Sequence, residues 1–291
     1  MSGTIRNSLI LVLMACLPAC YEPVEGCLDV EAVNFDLEAD KNNSEECVYP
    51  KVRMAIQHRY SKGDTIYRFG LVDSVYFDAQ GQPFRLNNVR FYISNFHLVY
   101  TNGQEKEVEE TVEILIPQPD GSDVPRTIED NFSLASPRVT QNYTIGTLKE
   151  SGGLQEVRFA VGVEGLANVA LPASFPETHP LFLQDSSLYF SQDSGYVFEY
   201  IELFRDTTAA DTIPEVLRIG TLPYLQEVRL PVPVNFRKSQ GFHLLITLQV
   251  DYSQWFGEIN ARQDSPEQLI EKIVANLAQS FSVVAVVLQD K

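Results

Sequence analysis

The sequence predicts an all-β protein: an antiparallel β-sandwich with one amphipathic helix near the C-terminus, preceded by a small module that a disulfide cross-links. From residue 51 onward, apolar and polar residues alternate in segment after segment, and many of the apolar residues are aromatic or β-branched. Turn-forming residues separate these segments, and one convincing stretch has helical spacing. Alternation of period two is typical of half-buried strands, and many strands in series are typical of a sandwich.

Alternation is clearest in residues 52–60, 91–98, 157–161 and 242–250. Turn sequences such as Thr101-Asn102-Gly103 supply sharp connections between strands. In the second segment, strict alternation predicts two faces, one formed by Phe91, Ile93, Asn95 and His97 and the other by Tyr92, Ser94, Phe96 and Leu98.

The predicted helix begins after Ser265, which can cap it. Pro266 suits the first helical position, and Gln268 completes a capping box with Ser265. Apolar residues then follow at helical spacing: Leu269, Ile270, Ile273, Val274, Leu277 and Phe281. Residues 282–287 are expected to form a last strand.

Residues 1–19 predict a secretory signal peptide, with a short positive segment and an apolar core too short to span a bilayer. Cys16 and Cys20 each stand three residues after a leucine, the arrangement of a lipoprotein processing site. Lipidation of Cys20 leaves an even pair of cysteines in the mature chain, whereas lipidation of Cys16 leaves an odd thiol. We therefore predict lipidation at Cys20; processing at Cys16 and plain signal cleavage are the alternatives.

Residues 20–50 predict a lipid-anchored spacer module, because polar residues are dense there and apolar residues are sparse. Such a segment cannot build its own core, so a Cys27–Cys47 disulfide is its expected cross-link. A closed loop of this size is stabilised by roughly 3 kcal/mol on the chain-entropy view. The cysteine-flanked pattern resembles a short module near the N-termini of Bacteroidetes surface proteins. The sandwich domain is predicted over residues 51–291.

The spacer also carries oxygen donors of the kind that calcium prefers. Their spacing is not that of an EF-hand, and a spacer without calcium is the alternative interpretation. The candidate calcium ligands are Asp29, Asn34, Asp36 and Asp40.

The net charge and the missing motifs of the sequence argue against several classes of function. The chain carries 22 Lys and Arg against 39 Asp and Glu, a net charge of −17, which argues against nucleic acid and anionic membrane surfaces as partners. Phosphate-binding loops, nucleophile elbows and Cys-x-x-Cys motifs are all missing from the sequence. We therefore expect a protein without enzymatic activity, and a hydrolase with scattered carboxylates is the minor alternative.

Four histidines are the candidate soft-metal ligands, and none of them has the spacing of a local metal motif. A copper site would have to be assembled from separate strands. His58 lies near the end of an apolar strand face, where a core or rim histidine is the alternative interpretation, and His179 lies in a proline-rich loop. These two are the predicted metal ligands. His97 has the phase of a buried residue, and His243 has the phase of a solvent-facing one.

Several short motifs, in order, resemble the MbnP-like family. Tyr92-Ile93-Ser94-Asn95 with Leu98 resembles its Tyr-x-Ser-Asn-x-x-Leu motif, and Val161-Gly162-Val163 with Asn168 resembles a second motif. Pro180-Leu181 and residues 188–198 resemble its Pro-Leu…Met-Tyr-Trp-x-Trp-x-x-Gly-Tyr-x-Phe block, and Asp251 to Phe256 resembles a late strand end. The likeness covers most of residues 51–285.

The resemblance implies a secreted β-sandwich that binds copper and works beside a di-haem peroxidase-like enzyme, which oxidises a tryptophan near the metal to kynurenine. Here Phe190 and Gln192 stand at the two tryptophan positions, and Val169 follows Asn168 where the family often has histidine. The expected copper ligands are therefore His58 and His179, without kynurenine. Trp255 is expected to be an anchor at a strand end.

We therefore expect a lipid-anchored envelope protein at the outer membrane or cell surface, with the periplasmic face as an alternative. Its expected role is binding or scaffolding without catalysis, with copper as the implied cofactor. The alternative is a surface lipoprotein that captures glycans or nutrients for an outer-membrane transporter. An exposed row formed by Tyr189, Tyr196 and Tyr200 would favour that alternative.

Overall fold

The computed structural model describes residues 22–182, 185–207, 213–233 and 236–290. The predicted signal peptide and the lipidation at Cys20 lie outside these residues. Within the described ranges, no helix is both long enough and apolar enough to cross a membrane.

The described residues form nineteen strands and three α-helices. In chain order, the strands are β1 (Glu25–Gly26), β2 (Lys41–Asn42), β3 (Lys51–Lys62), β4 (Thr65–Arg68), β5 (Val75–Phe77), β6 (Pro83–Tyr100), β7 (Glu105–Glu107), β8 (Thr111–Pro117), β9 (Asp123–Glu129), β10 (Ser133–Ala135), β11 (Asn142–Thr147), β12 (Gly152–Val161), β13 (Tyr189–Ser191), β14 (Gly195–Phe204), β15 (Glu215–Gly220), β16 (Gln226–Pro231), β17 (Arg237–Lys238), β18 (His243–Asp251) and β19 (Phe281–Gln289). The helices are α1 (Gly165–Val169), α2 (Tyr252–Phe256) and α3 (Pro266–Leu277).

Two sheets form the sandwich. The large sheet has ten strands and follows the path β13-β14-β6-β12-β16, with β5, β7, β10, β15 and β17 paired to its members. The small sheet follows the path β11-β3-β18-β19, with β4 paired to β3. In the small sheet, β3 and β18 run parallel, and the other pairs are antiparallel. The main pairs of the large sheet are antiparallel as well, so the predicted fold class is confirmed.

The main core fills the space between the two sheets. Met54 of β3 and Ile246 of β18 meet Phe91 and Phe159 of the large sheet, and all four side chains are buried. Helices α2 and α3 close one side of this core, and Trp255 of α2 lies inside it. Burial of such side chains is worth about 1.5–3 kcal/mol each, so this core is the main source of stability.

A second core covers the opposite face of the large sheet. Tyr92 of β6 and Phe198 of β14 pack there against Ile114 of the β8–β9 hairpin. Phe175 and Leu181, from the loop between α1 and β13, complete this cluster. The centre of the large sheet, in β14 and in residues 91–94 of β6, is therefore buried on both faces.

Strand β6 changes phase at Asn95, so the prediction of strict alternation through residues 91–98 is wrong. Asn95 has a φ of 55°, and the pairing with β12 shifts so that Ser94 opposes Ala160 while His97 opposes Arg158. Three steps along β6 thus match two along β12, which is a β-bulge. Phe96 therefore faces the main core together with residues 91 and 93.

The predicted start of the helix is confirmed, but the observed helix ends earlier than predicted. Ser265 accepts a hydrogen bond from the Gln268 backbone, and the Gln268 side chain accepts one from the Ser265 backbone, which forms the capping box. The α-helix ends at Leu277, and a 3-10 turn then leads to Phe281, the first residue of β19.

Trp255 lies in α2, directly after β18, as expected of an anchor at a strand end. The indole is fully buried, and its Nε1 donates to Ser280 Oγ at 2.7 Å. This bond joins α2 to the turn that precedes β19, so the buried ring keeps its one polar group satisfied.

The predicted Cys27–Cys47 disulfide is present, with a Cα–Cα distance of 5.0 Å. Polar contacts tie the cross-linked module to the sandwich: Ser151 Oγ donates to Glu31 Oε1 at 2.7 Å, and the Lys149 ammonium lies 4.4 Å from the centre of the Tyr49 ring. The module thus rests on the loop before β12.

Glu199 is a charged residue type inside the main core. It lies opposite Phe91 of β6 and Ile219 of β15, and both of these neighbours belong to that core. The side chain is fully buried, and neither carboxyl oxygen has a hydrogen-bond partner among the described residues. Burial raises the pKa of Glu199 well above its ordinary value, so the folded protein holds this carboxyl in its neutral form.

We predict that Glu199→Met stabilises the protein, by about 2 kcal/mol near pH 8, because an unpartnered polar group is removed from an apolar core. The folded-state pKa lies above that of the unfolded chain, so wild-type stability is greatest at low pH and falls as the pH rises toward the folded-state value. The gain should therefore be larger at pH 8.0 than at pH 5.5, as measured by urea unfolding.

Glu199→Gln should remove this pH-dependent component, and the exposed Glu271→Gln should leave it unchanged. An equal gain from Glu199→Met at both pH values would contradict the assignment of a raised pKa.

Candidate functional site

Two adjoining pockets, of about 620 and 480 Å³, lie beside the loop between α1 and β13. We call them together the His179 cleft. The residues that line both pockets are Gln141, Tyr143, Thr178, His179 and Pro180. A cleft of this size, walled by side chains from several strands and one ordered loop, is typical of ligand sites.

The loop folds tightly around His179. The His179 backbone N–H donates to Pro176 O at 2.8 Å, and the N–H of Phe182 donates to His179 O at 3.0 Å. Consecutive turns of this kind account for the prolines at positions 176 and 180, since proline favours turn positions and needs no hydrogen-bond donor.

Both nitrogens of the His179 ring make internal hydrogen bonds. Nε2 lies 2.8 Å from Asp130 Oδ1, and Nδ1 accepts the N–H of Leu181 at 3.1 Å. The ring also stacks on Phe175, with 4.5 Å between the ring centres, and His179 is 8% exposed. An acceptor role for Nδ1 places the proton of the neutral ring on Nε2, which donates to the carboxylate.

This arrangement makes His179 a structural residue of the loop. Ser133 and Asp130 line the same pocket, which gives it the residue types of a hydrolytic triad. A triad needs one ring nitrogen for the carboxylate and the other for the nucleophile. Here the second nitrogen accepts from Leu181, so the geometry lacks the base that a serine nucleophile requires.

His58 is in a different environment, on β3 of the small sheet. Its Nδ1 lies 2.8 Å from the hydroxyl of Tyr252, and the two rings stack. Burial, with smaller contributions from Arg59 and Arg68, lowers the pKa of His58 to about 4. The imidazole is therefore neutral at physiological pH, which is the protonation state that binds metals.

The other two histidines also have internal partners. His97 Nδ1 lies 3.0 Å from Asn95 O, and His243 Nδ1 accepts the N–H of Lys51 at 2.9 Å. Burial, together with nearby cations, lowers the pKa of His243, which lies on the strand face away from the core, as its phase predicts.

The two predicted copper ligands have different internal partners, since His58 pairs with Tyr252 and His179 with Asp130. In the part of the chain that the structure describes, no three His, Cys, Asp or Glu side chains are placed to hold a metal ion. The described residues therefore show no preassembled centre of three such ligands, and copper binding stays a prediction.

The candidate calcium ligands organise the N-terminal module. Asp29 accepts from the Glu31 backbone and from the Tyr49 hydroxyl. Asn34 exchanges hydrogen bonds with the backbone of Glu46 and Val48. The two remaining carboxylates each accept one backbone N–H: Asp36 from Glu38, and Asp40 from Val24. Calcium binding by this set stays a prediction.

The tyrosines at positions 189, 196 and 200 do not form an exposed row. Tyr196 and Tyr200 are buried, and the Tyr196 hydroxyl donates to Leu181 O at 2.6 Å. The hydroxyl of Tyr92 donates to Pro180 O at 3.2 Å. Tyr92 and Tyr196 therefore hold the loop that carries His179.

Gly195 occupies a position where the backbone and its surroundings both require glycine. Its φ is 73°, and a Cβ at this position would lie 2.3 Å from the side-chain oxygen of Asn168. That same oxygen accepts the backbone N–H of Tyr196 at 2.9 Å. Only glycine combines this backbone conformation with such a close approach.

The outer wall of the cleft contains two arginines that sequence reasoning did not single out. Arg90 of β6 forms an ion pair with Asp185 at 3.0 Å, and its guanidinium lies 4.7 Å from the centre of the Tyr200 ring. Arg138 donates to the backbone oxygen of Asn87. These residues come from separate segments, and no local motif in the sequence marks them.

A further pocket, of about 550 Å³, lies at the β3–β4 hairpin, and we call it the Tyr67 pocket. Tyr67 and Phe77 line it and are 52% and 47% exposed. Lys62 lies over the Phe77 ring at 5.0 Å from its centre, and Tyr60 and Tyr76 line the pocket as well. Its chemistry is aromatic with polar edges.

The two sheets and the loop fixed by buried tyrosines define a class of protein: a β-sandwich with a cleft walled by an ordered loop. The sequence model of the MbnP family matches residues 49–273, so the chain belongs to the MbnP family, as its motifs predicted. Among solved structures, it is similar to MbnP from Methylosinus trichosporium, with 14% identity and a TM-score of 0.43, over 81% of this chain and 98% of that chain. No curated protein matches it.

Proposed function

We propose that this protein is a non-enzymatic binding or scaffold protein of the cell envelope, anchored by a lipid on Cys20. The signal-like residues 1–19 and the Leu17-Pro18-Ala19-Cys20 sequence support the anchor and a location at the outer membrane or cell surface. Membership of the MbnP family supports the binding role.

One observation carries the non-enzymatic part of the proposal: both ring nitrogens of His179 are used inside the loop. The cleft thus has a wall fixed by internal hydrogen bonds rather than an imidazole ready to move protons. The guanidinium groups of Arg90 and Arg138 line the opposite part of the cleft and suit a polar ligand.

Copper is the ligand that the family resemblance implies, and His58 is the histidine best suited to it. Its imidazole is neutral, and Nε2 has no hydrogen-bond partner among the described residues. Phe190 and Gln192 exclude a kynurenine at the family positions. A di-haem peroxidase-like partner would therefore find no substrate tryptophan at either position.

We predict that Cys20→Ala moves the protein from the membrane fraction to the soluble fraction, because the acyl chains are lost. Labelling with a palmitate analogue in cells that process lipoproteins, followed by fractionation, measures this. The matched variant Cys16→Ala should keep both the label and the membrane location. Loss of the label in Cys16→Ala, with retention in Cys20→Ala, would place the anchor at Cys16 instead.

We predict that His58→Gln weakens Cu(I) binding at least tenfold, measured by competition with a chelator of known affinity. Glutamine can still bond to Tyr252 but is a poor ligand for soft copper. His243→Gln is the control and should bind copper as the wild type does. Copper binding that is equal in all three proteins would remove His58 as a ligand.

Capture of a glycan or nutrient for an outer-membrane transporter is the second candidate function, and the Tyr67 pocket is the observation that favours it. Exposed aromatic rings beside hydrogen-bonding side chains suit a sugar, whose ring has apolar faces and a polar edge. The polar side chains available in this pocket include Ser61, Lys62 and Arg68.

If this second function holds, Tyr67→Ala/Phe77→Ala should abolish glycan-array binding shown by the wild type, because the stacking surface is removed. Phe190→Ala, which removes an exposed aromatic ring outside the pocket, should bind as the wild type does. Absence of glycan binding by the wild-type protein would count against capture, as would binding that survives the double substitution.

A further inference from the structure

A fourth pocket, of about 350 Å³, lies beside the bulge of β6, and we call it the acidic pocket. Three glutamates line it: Glu107 of β7, Glu129 at the end of β9, and Glu164, which precedes α1. Among its lining residues, all of them described, there is no Lys or Arg. The pocket shares Phe132 with the His179 cleft and has no lining residue in common with the Tyr67 pocket.

The charges in this pocket are poorly compensated. Burial, then Glu107 and Glu109, raises the pKa of Glu129. Burial likewise raises the pKa of Glu164; Glu107 adds to this rise, and His97 opposes it. His97 Nε2 lies 3.8 Å from Glu107 Oε2, which is too far for a hydrogen bond. Like charges held together favour a positively charged occupant.

Ser94 gives a second, independent indication. It is 1% exposed and lines the pocket, and its hydroxyl has no hydrogen-bond partner among the described residues. Its neighbour Ile93 faces the main core, so the Ser94 side chain points to the opposite face of β6, where the acidic pocket lies. A buried hydroxyl without a partner costs about 1–3 kcal/mol, which a hydrogen-bonding ligand would offset.

The side chain of Asn131, by contrast, has its hydrogen-bonding groups satisfied by other residues of the protein. Its Oδ1 accepts the backbone N–H of Asn95 at 2.6 Å, and its Nδ2 donates to Glu107 Oε1 at 3.0 Å. Glu129 and Glu164 make no such bonds within the described residues. The buried group without a partner is therefore the Ser94 hydroxyl, and the two more exposed carboxylates are acceptors that a ligand can use.

The geometry disfavours a bare metal ion as the occupant, because the pocket's carboxylates do not converge as a metal site in the described residues. A larger cation that carries several N–H donors can reach separated acceptors. Ile128, Phe132 and Leu166 add an apolar part to the lining, which suits an alkyl stem.

We propose that the acidic pocket binds an organic cation: an ammonium or guanidinium group on a short alkyl stem. The cationic head donates to Glu129, Glu164 and Ser94, and the stem lies against the apolar part of the lining. The net charge of −17 favours the approach of such a ligand. The cation belongs either to a free amine or to a lysine or arginine side chain of a polypeptide, since both present the same chemistry.

Isothermal titration of the purified protein with n-butylammonium and with agmatine tests the proposal. Both cations should bind, with affinity that falls as salt is added, because the attraction is between charges. Pentanoate, an anion with a stem of similar length, should not bind. Failure of both cations to bind would overturn the proposal, and so would equal binding of pentanoate.

Variants then locate the site. Glu129→Gln/Glu164→Gln should weaken agmatine binding at least tenfold, and Ser94→Ala should weaken it by a smaller factor. The control Glu271→Gln removes one exposed carboxylate from α3 and should bind as the wild type does. Circular dichroism confirms that each variant is folded. Unchanged affinity in the folded double variant would place the cation elsewhere and overturn the proposal.

Two further measurements distinguish the possible sources of the cation and test a metal ion as the alternative occupant. Binding of N-acetyl-lysine methylamide as tight as that of n-butylammonium would assign the pocket to a polypeptide side chain, whereas binding of the free amine alone would assign it to a small molecule. Displacement of agmatine by equimolar Ca²⁺ would show a metal site and overturn the proposal. None of these results depends on copper or glycan binding.

Discussion

Strand β6 is 18 residues long and its middle, residues 91–94, is buried on both faces, and much of the architecture follows from this burial. One face of β6 contributes Phe91 and Ile93 to the main core, and the other contributes Tyr92 to the second core. A sheet with two apolar faces needs a layer on each side. The small sheet with α2 and α3 supplies the first layer, and the β8–β9 hairpin with the His179 loop supplies the second.

The second layer explains why the family motifs persist here without their tryptophans. Tyr92 and Tyr196 donate to the backbone of the Pro180-Leu181 segment, and Gly195 allows the close approach of Asn168. These contacts require neither a metal nor Trp at positions 190 and 192. The motif residues therefore keep a structural purpose whatever the ligand, and their presence carries less information about copper than about the fold.

Local sequence patterns were sufficient to predict much of the fold. Contacts between segments that lie far apart in the sequence could not be predicted from those patterns. Period-two alternation identified the strands, and Ser265 with Gln268 identified the helix start, because both signals are local. Alternation failed at Asn95, since the bulge depends on how β6 pairs with β12, which lies far along the chain. The partners of His58 and His179 also come from distant segments, 194 and 49 residues away. The sequence therefore predicted which residue types could form the candidate site, but it did not predict how they are arranged in space.

Burial raises the pKa of three glutamates, but their access to a ligand differs. Glu199 lies in the closed main core, where burial keeps its carboxyl neutral and leaves no route for a partner to approach. Glu129 and Glu164 border an open pocket, where burial and neighbouring glutamates also raise their pKa values but a cation can enter. The bulge in β6 connects these two environments: it returns Phe96 to the core and leaves Ser94 beside the acidic pocket. A single inserted residue in β6 thus completes the hydrophobic core on one face, directly after the residue whose unsatisfied hydroxyl lies on the other.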